Sequence, residues 1–231
     1  MALATYRMPL LKMLGNRAHS VGPILFLFHN LFLRSVGNDI QSDSNFDGEL
    51  DIIKVVNTSE YVWLYRQTYS NSFEMSSGKN NFSIETTCIR RVMTGLTSKE
   101  YNFTEIDVME LTNIGDNYTG IFIYNRKNLI HNMHPPTSMN VYESGRTKAD
   151  YQTTLEYTEP DTYSCSVFTV YFMSNKITDD FHKCEMYIRE SHLGSGPTSG
   201  CENYFNQKCR GKQYMPYISQ CTNKGNDILY N

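Results

Sequence analysis

Acidic residues are absent from the first 38 positions of the chain, which carry four basic residues and one short apolar stretch. The apolar stretch, Ile24 to Leu33, is shorter than the about 20 residues that span a bilayer comfortably. The small residues Ser35-Val36-Gly37 follow it, as at a signal-peptide cleavage site. These features predict a signal peptide over residues 1–37 and a mature chain over residues 38–231. A mitochondrial transit peptide has a similar composition, but it leaves the cysteines without a role.

The mature sequence also lacks the common signatures of enzymes and phosphate binders. It has no Gly-x-Ser-x-Gly nucleophile elbow and no paired-carboxylate motif. The glycine-rich stretch Gly194–Gly200 lacks the lysine of a phosphate-binding loop. The pair His131 and His134 has no acidic or cysteine companion nearby to complete a metal site. We therefore expect neither an enzyme nor a bound metal or cofactor.

Basic residues are too few for a nucleic-acid-binding surface. Without residues 1–37 the chain has 17 basic and 24 acidic side chains, which is a net charge of −7. Nucleic-acid binders depend on clustered Lys and Arg side chains that contact phosphates. The remaining 194 residues suffice for one domain with its own core. We expect a monomer with neither a membrane nor a nucleic acid as partner.

Cysteine, in contrast, is well represented. The chain contains six, at Cys88, Cys165, Cys184, Cys201, Cys209 and Cys221. An even number in a chain with a leader predicts disulfide bonds, and therefore an oxidising, extracellular compartment. Six cysteines allow 15 different sets of three pairs, and their number alone does not choose among these sets.

Four N-x-[ST] sequons support secretion. They begin at Asn57, Asn81, Asn102 and Asn117. A single short pattern recurs by chance, but four of them accompany a leader and an even set of cysteines. We expect a glycoprotein in which each glycosylated asparagine lies at the surface.

Runs rich in Tyr, Phe, Val, Ile and Thr, separated by Gly, Asn, Asp and Pro, predict eight strands. They lie near residues 60–70, 84–94, 100–111, 118–125, 139–143, 150–157, 163–173 and 183–190. Two helices are predicted, one from Asp47 to Val56 with Asp47 as its N-cap, and one from Thr198 to Cys209. Closely spaced strands followed by a helix indicate an antiparallel barrel or sandwich.

Strand alternation assigns side chains to faces, since successive residues point to opposite sides of a sheet. In the first strand it places Tyr61, Trp63, Tyr65 and Tyr69 on one face. In the last two strands it separates Cys165 and Cys184 from Ser166 and Glu185. The final helix has a stripe formed by Cys201, Tyr204, Phe205, Lys208 and Cys209. If this stripe packs on the outer wall, the strand cysteines face the helix and Glu185 faces the interior.

The C-terminal motif resembles that of the tick salivary lipocalins, often called the histamine-binding family. Their pattern of Cys-Asp-Val, Glu-Leu-Tyr and Cys appears here as Cys165-Ser166-Val167, Glu185-Met186-Tyr187 and Cys201, with 17 and 13 residues between the parts. Shorter matches to the family are Thr68–Asn71, Thr86–Cys88 and Ser219–Cys221. The Gly-x-Trp of ordinary lipocalins is only half present, as Tyr61-Val62-Trp63.

The resemblance implies an all-β fold, an eight-stranded antiparallel up-and-down lipocalin barrel. A short helix precedes this barrel, and the C-terminal helix packs on its outside. The implied disulfides are Cys88–Cys221, Cys165–Cys201 and Cys184–Cys209, and the last agrees with the outward phase of Cys184. The implied function is capture of a small host inflammatory mediator in the barrel, by which tick saliva evades host defence.

A biogenic amine, histamine or serotonin, is the first expectation for the ligand. A buried ammonium needs a carboxylate, helped by aromatic faces. The family's other amine-binding acids align with Ser72, Thr153 and Ser166, so only Glu185 is retained and a two-site histamine binder is not expected. The expected ligand-binding residues are Glu185, Tyr69, Trp63, Tyr142, Tyr151, Phe168 and Tyr187.

Other ligands remain open at this point. If Asn102 faces outward, Glu105 and Asp107 face inward, where we expect them in water near the open end of the strand. A barrel lined by Phe168 and other aromatic residues equally suits a hydrophobic mediator, such as a leukotriene, thromboxane or sterol. A third alternative is an immunomodulator that binds a host protein.

Overall fold

An antiparallel sheet surrounds the interior of the protein. The computed structural model describes residues 50–77, 80–110, 112–124, 134–173 and 183–222. Its strands are β1 (Val62–Gln67), β2 (Ser72–Ser77), β3 (Asn80–Leu96), β4 (Glu100–Met109), β5 (Thr112–Ile123), β6 (Ser138–Glu143), β7 (Tyr151–Thr158), β8 (Cys165–Phe172) and β9 (Lys183–Arg189). The α-helices are α1 (Ile52–Val56) and α2 (Ser199–Lys208), and short 3-10 helices cover Glu190–Ser195 and Ser219–Thr222. The predicted signal peptide, its cleavage position and His131 lie outside the described residues.

The order of strand pairing closes the sheet into a barrel. Strands pair in the order β1, β9, β8, β7, β6, β5, β4 and β3, and β3 pairs again with β1. These eight strands form the closed barrel, while β2 pairs only with the first part of β3 in the β2–β3 hairpin. The predicted eight-stranded antiparallel up-and-down barrel is confirmed.

All eight predicted strands are present, with ends shifted by a few residues. The sequence reading missed β2 and the first residues of β3, which together form the β2–β3 hairpin. The β2 sequence, Ser-Phe-Glu-Met-Ser-Ser, has no β-branched residue, and serine has little preference for strands. Strand β2 depends on its pairing with β3, which a local sequence pattern does not reveal.

Helix α1 begins at Ile52 with Asp51 as its N-cap, whereas the predicted start, Asp47, lies outside the described residues. The Asp51 carboxylate accepts hydrogen bonds from the backbone N–H groups of Ile53 at 2.9 Å and Lys54 at 3.3 Å. These contacts satisfy donors that have no partner inside the helix. The helix buries Ile52, Val55 and Val56 in the interior cluster of the barrel.

A β-bulge in β1 breaks the predicted alternation. The register against β9 shifts between Leu64 and Arg66, so Tyr65 is the extra residue. Tyr65 stacks on Tyr217, and Arg66 forms an ion pair with Glu202 of α2 at 2.8 Å, so both point outward. A bulge of this kind reverses the faces of the residues that follow it. Trp63 and Tyr69 therefore lie on opposite sides of the sheet.

Helix α2 packs against the outer wall, as the phase of the cysteines predicted. An outer cluster contains Trp63, Val167, Met186, Ile188, Leu193, Phe205 and the cysteine side chains. The disulfides are Cys88–Cys221, Cys165–Cys201 and Cys184–Cys209, the set that the resemblance implies. Two of them join α2 or its C-cap to β8 and β9. No helix within the described residues has the length and apolar character needed to cross a membrane.

Replacing Phe205 with Ala is expected to lower the free energy of unfolding by about 3–5 kcal/mol, because it leaves a cavity in the outer cluster. Phe205 is fully buried and its ring also faces the Arg66 guanidinium. Urea unfolding monitored by circular dichroism measures the change. The control is Asn203→Ala on the exposed side of α2, for which a change within about 0.5 kcal/mol is expected. Similar losses in both variants would contradict the packing described here.

Candidate ligand-binding cavity

The barrel interior contains a cavity of about 440 Å³. Its wall includes Leu64, Tyr69, Ile89, Tyr151 and Phe172, and Phe73 of the β2–β3 hairpin lies at its mouth, where it is 40% exposed. The volume lies within the range of small-molecule sites. The interior is thus hollow on the side of this hairpin.

Glu185 lies on β9 at the inner end of the cavity and is 3% exposed. Its carboxylate accepts a hydrogen bond from the Tyr69 hydroxyl and another from the Tyr187 hydroxyl, the latter at 2.9 Å. Burial raises the pKa of the Glu185 carboxyl, and this effect outweighs the opposing influence of Arg91 and the two hydroxyl groups. The two hydrogen bonds from Tyr69 and Tyr187 give each carboxylate oxygen of Glu185 a partner within the protein.

Arg91 on β3 is the main residue of the site that sequence reasoning missed. Its side chain is 10% exposed, and its Nε lies 2.7 Å from Oε2 of Glu105. One terminal nitrogen donates to the Tyr151 hydroxyl at 3.2 Å and lies 3.9 Å from the Glu185 carboxylate. The guanidinium also lies over the Tyr187 ring, 4.6 Å from its centre. An arginine inside the barrel is thus held by residues of three other strands.

A sequence signal for Arg91 was available. The disulfide of Cys88 lies on the outside of the barrel, in the outer cluster. Alternation from Cys88 places Arg90 outward and Arg91 inward. In the structure Arg90 faces the Trp63 ring outside, while Arg91 lines the cavity.

Carboxylates outnumber cations along the cavity wall. Among the described residues, the wall includes the acids Glu105, Asp107, Glu143, Asp150 and Glu185 and the bases Arg91 and Arg146, a formal net charge of −3 for this set. At the mouth, Arg146 forms ion pairs with Glu143 and with Asp150, the latter at 2.6 Å. Within the described residues, Asp107 is in no salt bridge. Burial, and then the nearby Glu105 carboxylate, raise the pKa of Asp107.

The predicted ligand-binding residues separate into three groups. Glu185, Tyr69, Tyr151 and Tyr187 line the cavity together. Phe168 lies deeper in the interior cluster. Trp63 and Tyr142 do not face the interior.

These last two placements correct the sequence interpretation. Trp63 lies in the outer cluster, because the bulge at Tyr65 turns Tyr69 inward while Trp63 keeps the outward phase. Tyr142 pairs with Thr119 on the outside of β6, since its neighbours Met139 and Val141 fill the interior. Glu105 and Asp107 do face inward, and Glu105, expected in water, is ion-paired with Arg91 and only partly exposed.

The sequon asparagines lie away from the cavity. Asn57 and Asn81 are exposed. Asn102 and Asn117 lie on adjacent strands, where the Thr119 hydroxyl donates to the Asn102 amide oxygen and the Thr104 hydroxyl to that of Asn117, each at 2.7 Å. Glycosylation at these positions remains a prediction.

A second, smaller hollow lies below Arg91. It has a volume of about 30 Å³ and is lined by Val55 and Val56 of α1, Met139, Ser166 and Phe168, among others. Arg91 and Tyr187 border this lower chamber and also the main cavity. The main cavity extends toward the β2–β3 hairpin and the lower chamber toward α1, so Arg91 and Tyr187 lie between them.

Comparison with solved structures finds similar folds at low sequence identity. The chain is similar to Japanin from Rhipicephalus appendiculatus, solved with bound cholesterol, with a TM-score of 0.45 and 8% identity over 72% of this chain and 97% of Japanin. It is also similar to the siderocalin Ex-FABP, described as functioning through dual ligand specificities, with a TM-score of 0.37 and 10% identity over 66% and 79% of the two chains. No protein-family model and no curated protein sequence matches the chain. The strand pairing described above defines the fold.

Replacing Arg91 with Met is expected to lower the free energy of unfolding by about 2–4 kcal/mol, because two inward carboxylates lose their counter-charge. Because Glu105 is partly exposed, the decrease in the free energy of unfolding should be smaller than for a fully buried ion pair. Urea unfolding at neutral pH measures this decrease. The matched control is Arg90→Met, which removes contacts with aromatic rings on the outside and should cost about 1 kcal/mol. An Arg91 variant as stable as the Arg90 variant would contradict the role of the ion network.

Proposed function

We propose that this protein is a secreted lipocalin that sequesters a small organic cation, a biogenic amine such as histamine or serotonin, and thereby counters a host response. The observation that carries the proposal is the surplus of carboxylates among the described residues of the cavity wall, five against two guanidinium groups. A ligand with one ammonium group reduces this imbalance, whereas a ligand with a carboxylate increases it. The resemblance to the tick salivary lipocalins supports the same assignment.

Glu105 and Asp107 are the acids best placed to pair with an ammonium group. Both oxygens of Glu185 accept hydrogen bonds from tyrosines, and one oxygen of Glu105 is engaged by Arg91. Among the described residues no side chain binds the second oxygen of Glu105 or the Asp107 carboxylate, which accepts a hydrogen bond from its own backbone, so both can pair with a ligand. In this proposal Glu185 contributes its charge at longer range and positions the aromatic rings of Tyr69 and Tyr187. Those rings supply the faces on which a cation or an aromatic ligand rests.

A carrier of a hydrophobic mediator is the second candidate. The β2–β3 hairpin favours it, since Phe73, Met75 and Phe82 are each at least 40% exposed near the mouth of the cavity. An apolar ligand would cover Phe73 at the mouth. Mass spectrometry of lipids extracted from the purified protein distinguishes this candidate from an amine binder. Binding of a host protein remains a prediction, and a plasma pull-down tests it.

Calorimetric titration is expected to show binding of histamine or serotonin, and Asp107→Asn or Glu105→Gln should each weaken it about 10- to 100-fold, because each removes a charged partner of the ammonium. A smaller loss is expected for Glu185→Gln. The control is Glu74→Gln, an exposed acid on β2 outside the cavity wall, which should leave the affinity unchanged. Absence of amine binding by the unaltered protein would refute the proposal.

Serotonin affinity is expected to rise with pH between about pH 4 and pH 7, where its ammonium remains charged. In the free protein the pKa values of Glu185 and Asp107 are raised. A bound ammonium favours the ionised carboxylates, lowers these pKa values and releases protons, so affinity is lost as the pH falls through the raised values. Calorimetry in buffers of different ionisation enthalpy measures the proton release. The double variant Asp107→Asn, Glu185→Gln should show a flatter profile, and an unchanged slope would contradict this origin.

A further inference from the structure

The Arg91 side chain crosses the barrel between a cavity with many charged lining residues and a smaller one with mainly apolar lining residues. Above it lies the main cavity of about 440 Å³, and below it the lower chamber of about 30 Å³. The lower chamber is lined mainly by apolar side chains, which include Val55 and Val56 of α1. A hollow of 30 Å³ holds about two water molecules. The interior of the barrel is thus divided into two unequal parts.

The dividing side chain is held from several directions. Glu105 of β4 binds the Nε of Arg91, Tyr151 of β7 binds a terminal nitrogen, and Glu185 of β9 lies within 3.9 Å. The rings of Phe103 and Tyr187 flank the guanidinium, with centres 5.1 Å and 4.6 Å away. Moving the guanidinium aside would break these contacts and leave its charge without partners in a poorly solvated interior. A ligand in the main cavity therefore has no inexpensive way past Arg91.

We infer that Arg91 is a specificity-determining residue that limits the depth to which a ligand enters the barrel. A compact ligand fits above the guanidinium, whereas an extended apolar chain or a long ring system is stopped there. The lower chamber would otherwise lengthen the cavity with an apolar end. This role does not depend on whether the natural ligand is an amine, since any ligand in the cavity meets the same side chain.

A series of neutral straight-chain alcohols from hexanol to tetradecanol tests the inference without relying on ligand charge. Each methylene buried in an apolar site raises affinity about fourfold. In the unaltered protein, affinity is expected to stop rising at the chain length that reaches Arg91. Displacement of an environment-sensitive fluorescent probe from the cavity gives the affinity for each alcohol.

A variant that lacks the Arg91 side chain would leave Glu105 and Glu185 without a counter-charge, so these two acids are neutralised as well. We therefore compare the triple variant Arg91→Ala, Glu105→Gln, Glu185→Gln with the double variant Glu105→Gln, Glu185→Gln, which retains Arg91. In the triple variant the rise in affinity should continue to longer alcohols than in the double variant, since the Arg91 side chain no longer separates the two hollows. A second triple variant with Arg91→Met removes the charge but keeps most of the volume. Its profile should stop close to that of the double variant.

Cooperative urea unfolding and near-ultraviolet circular dichroism establish that each variant is folded. The inference is overturned if the double variant and the alanine variant stop at the same chain length. If the alanine variant does not fold, the unaltered protein still decides the question. An affinity that keeps rising through tetradecanol would show that Arg91 does not limit depth. If the unaltered protein binds no amine but shows the expected alcohol profile, only the proposed function is refuted, and the inference about Arg91 stands.

Discussion

The burial of one guanidinium group is the constraint on which the interior of this barrel depends. A charge inside a protein is stable only where opposite charges and hydrogen-bond partners surround it. Three strands supply them to Arg91, through Glu105, Tyr151 and Glu185. Tyr69 and Tyr187 in turn bind Glu185, so the positions of five polar side chains are linked to that of one arginine. The polar character of the cavity follows, because holding this arginine brings two acids into the interior.

The outer wall determines which residues reach this network. Helix α2 and its C-cap are bonded to β8 and β9 through Cys165–Cys201 and Cys184–Cys209, and Phe205 fills the space between helix and sheet. Because side chains alternate along a strand, cysteines that face the helix turn their neighbours inward. Glu185 reaches the cavity for this reason. The stability of the outer cluster and the geometry of the interior are thus two consequences of the same strand phase.

Sequence reasoning succeeded where regular alternation continues and failed where it is interrupted. The phases of β8 and β9 predicted Ser166 and Glu185 inside, and the helix from Thr198 was located almost to the residue. The bulge at Tyr65 depends on pairing with β9, and no local pattern announces it, so Trp63 was assigned to the wrong face. Arg91 was missed for another reason. A basic residue in a strand is ordinarily solvated, and only the outward position of Cys88 indicated otherwise.

In the proposed function, the charge of the cavity wall and the depth of the cavity both favour a compact amine. A long lipid with a carboxylate would meet a wall with surplus negative charge, and an extended apolar ligand would be stopped at Arg91. A compact amine would meet neither obstacle, since its ammonium would be attracted to Glu105 and Asp107 and its small body would end above the guanidinium. One arginine would then serve both selections, because the acids that hold it contribute negative charge and its side chain separates the main cavity from the lower chamber. Removing only the charge of Arg91 would alter the selection by ligand charge. Removing only its volume would alter the selection by ligand length.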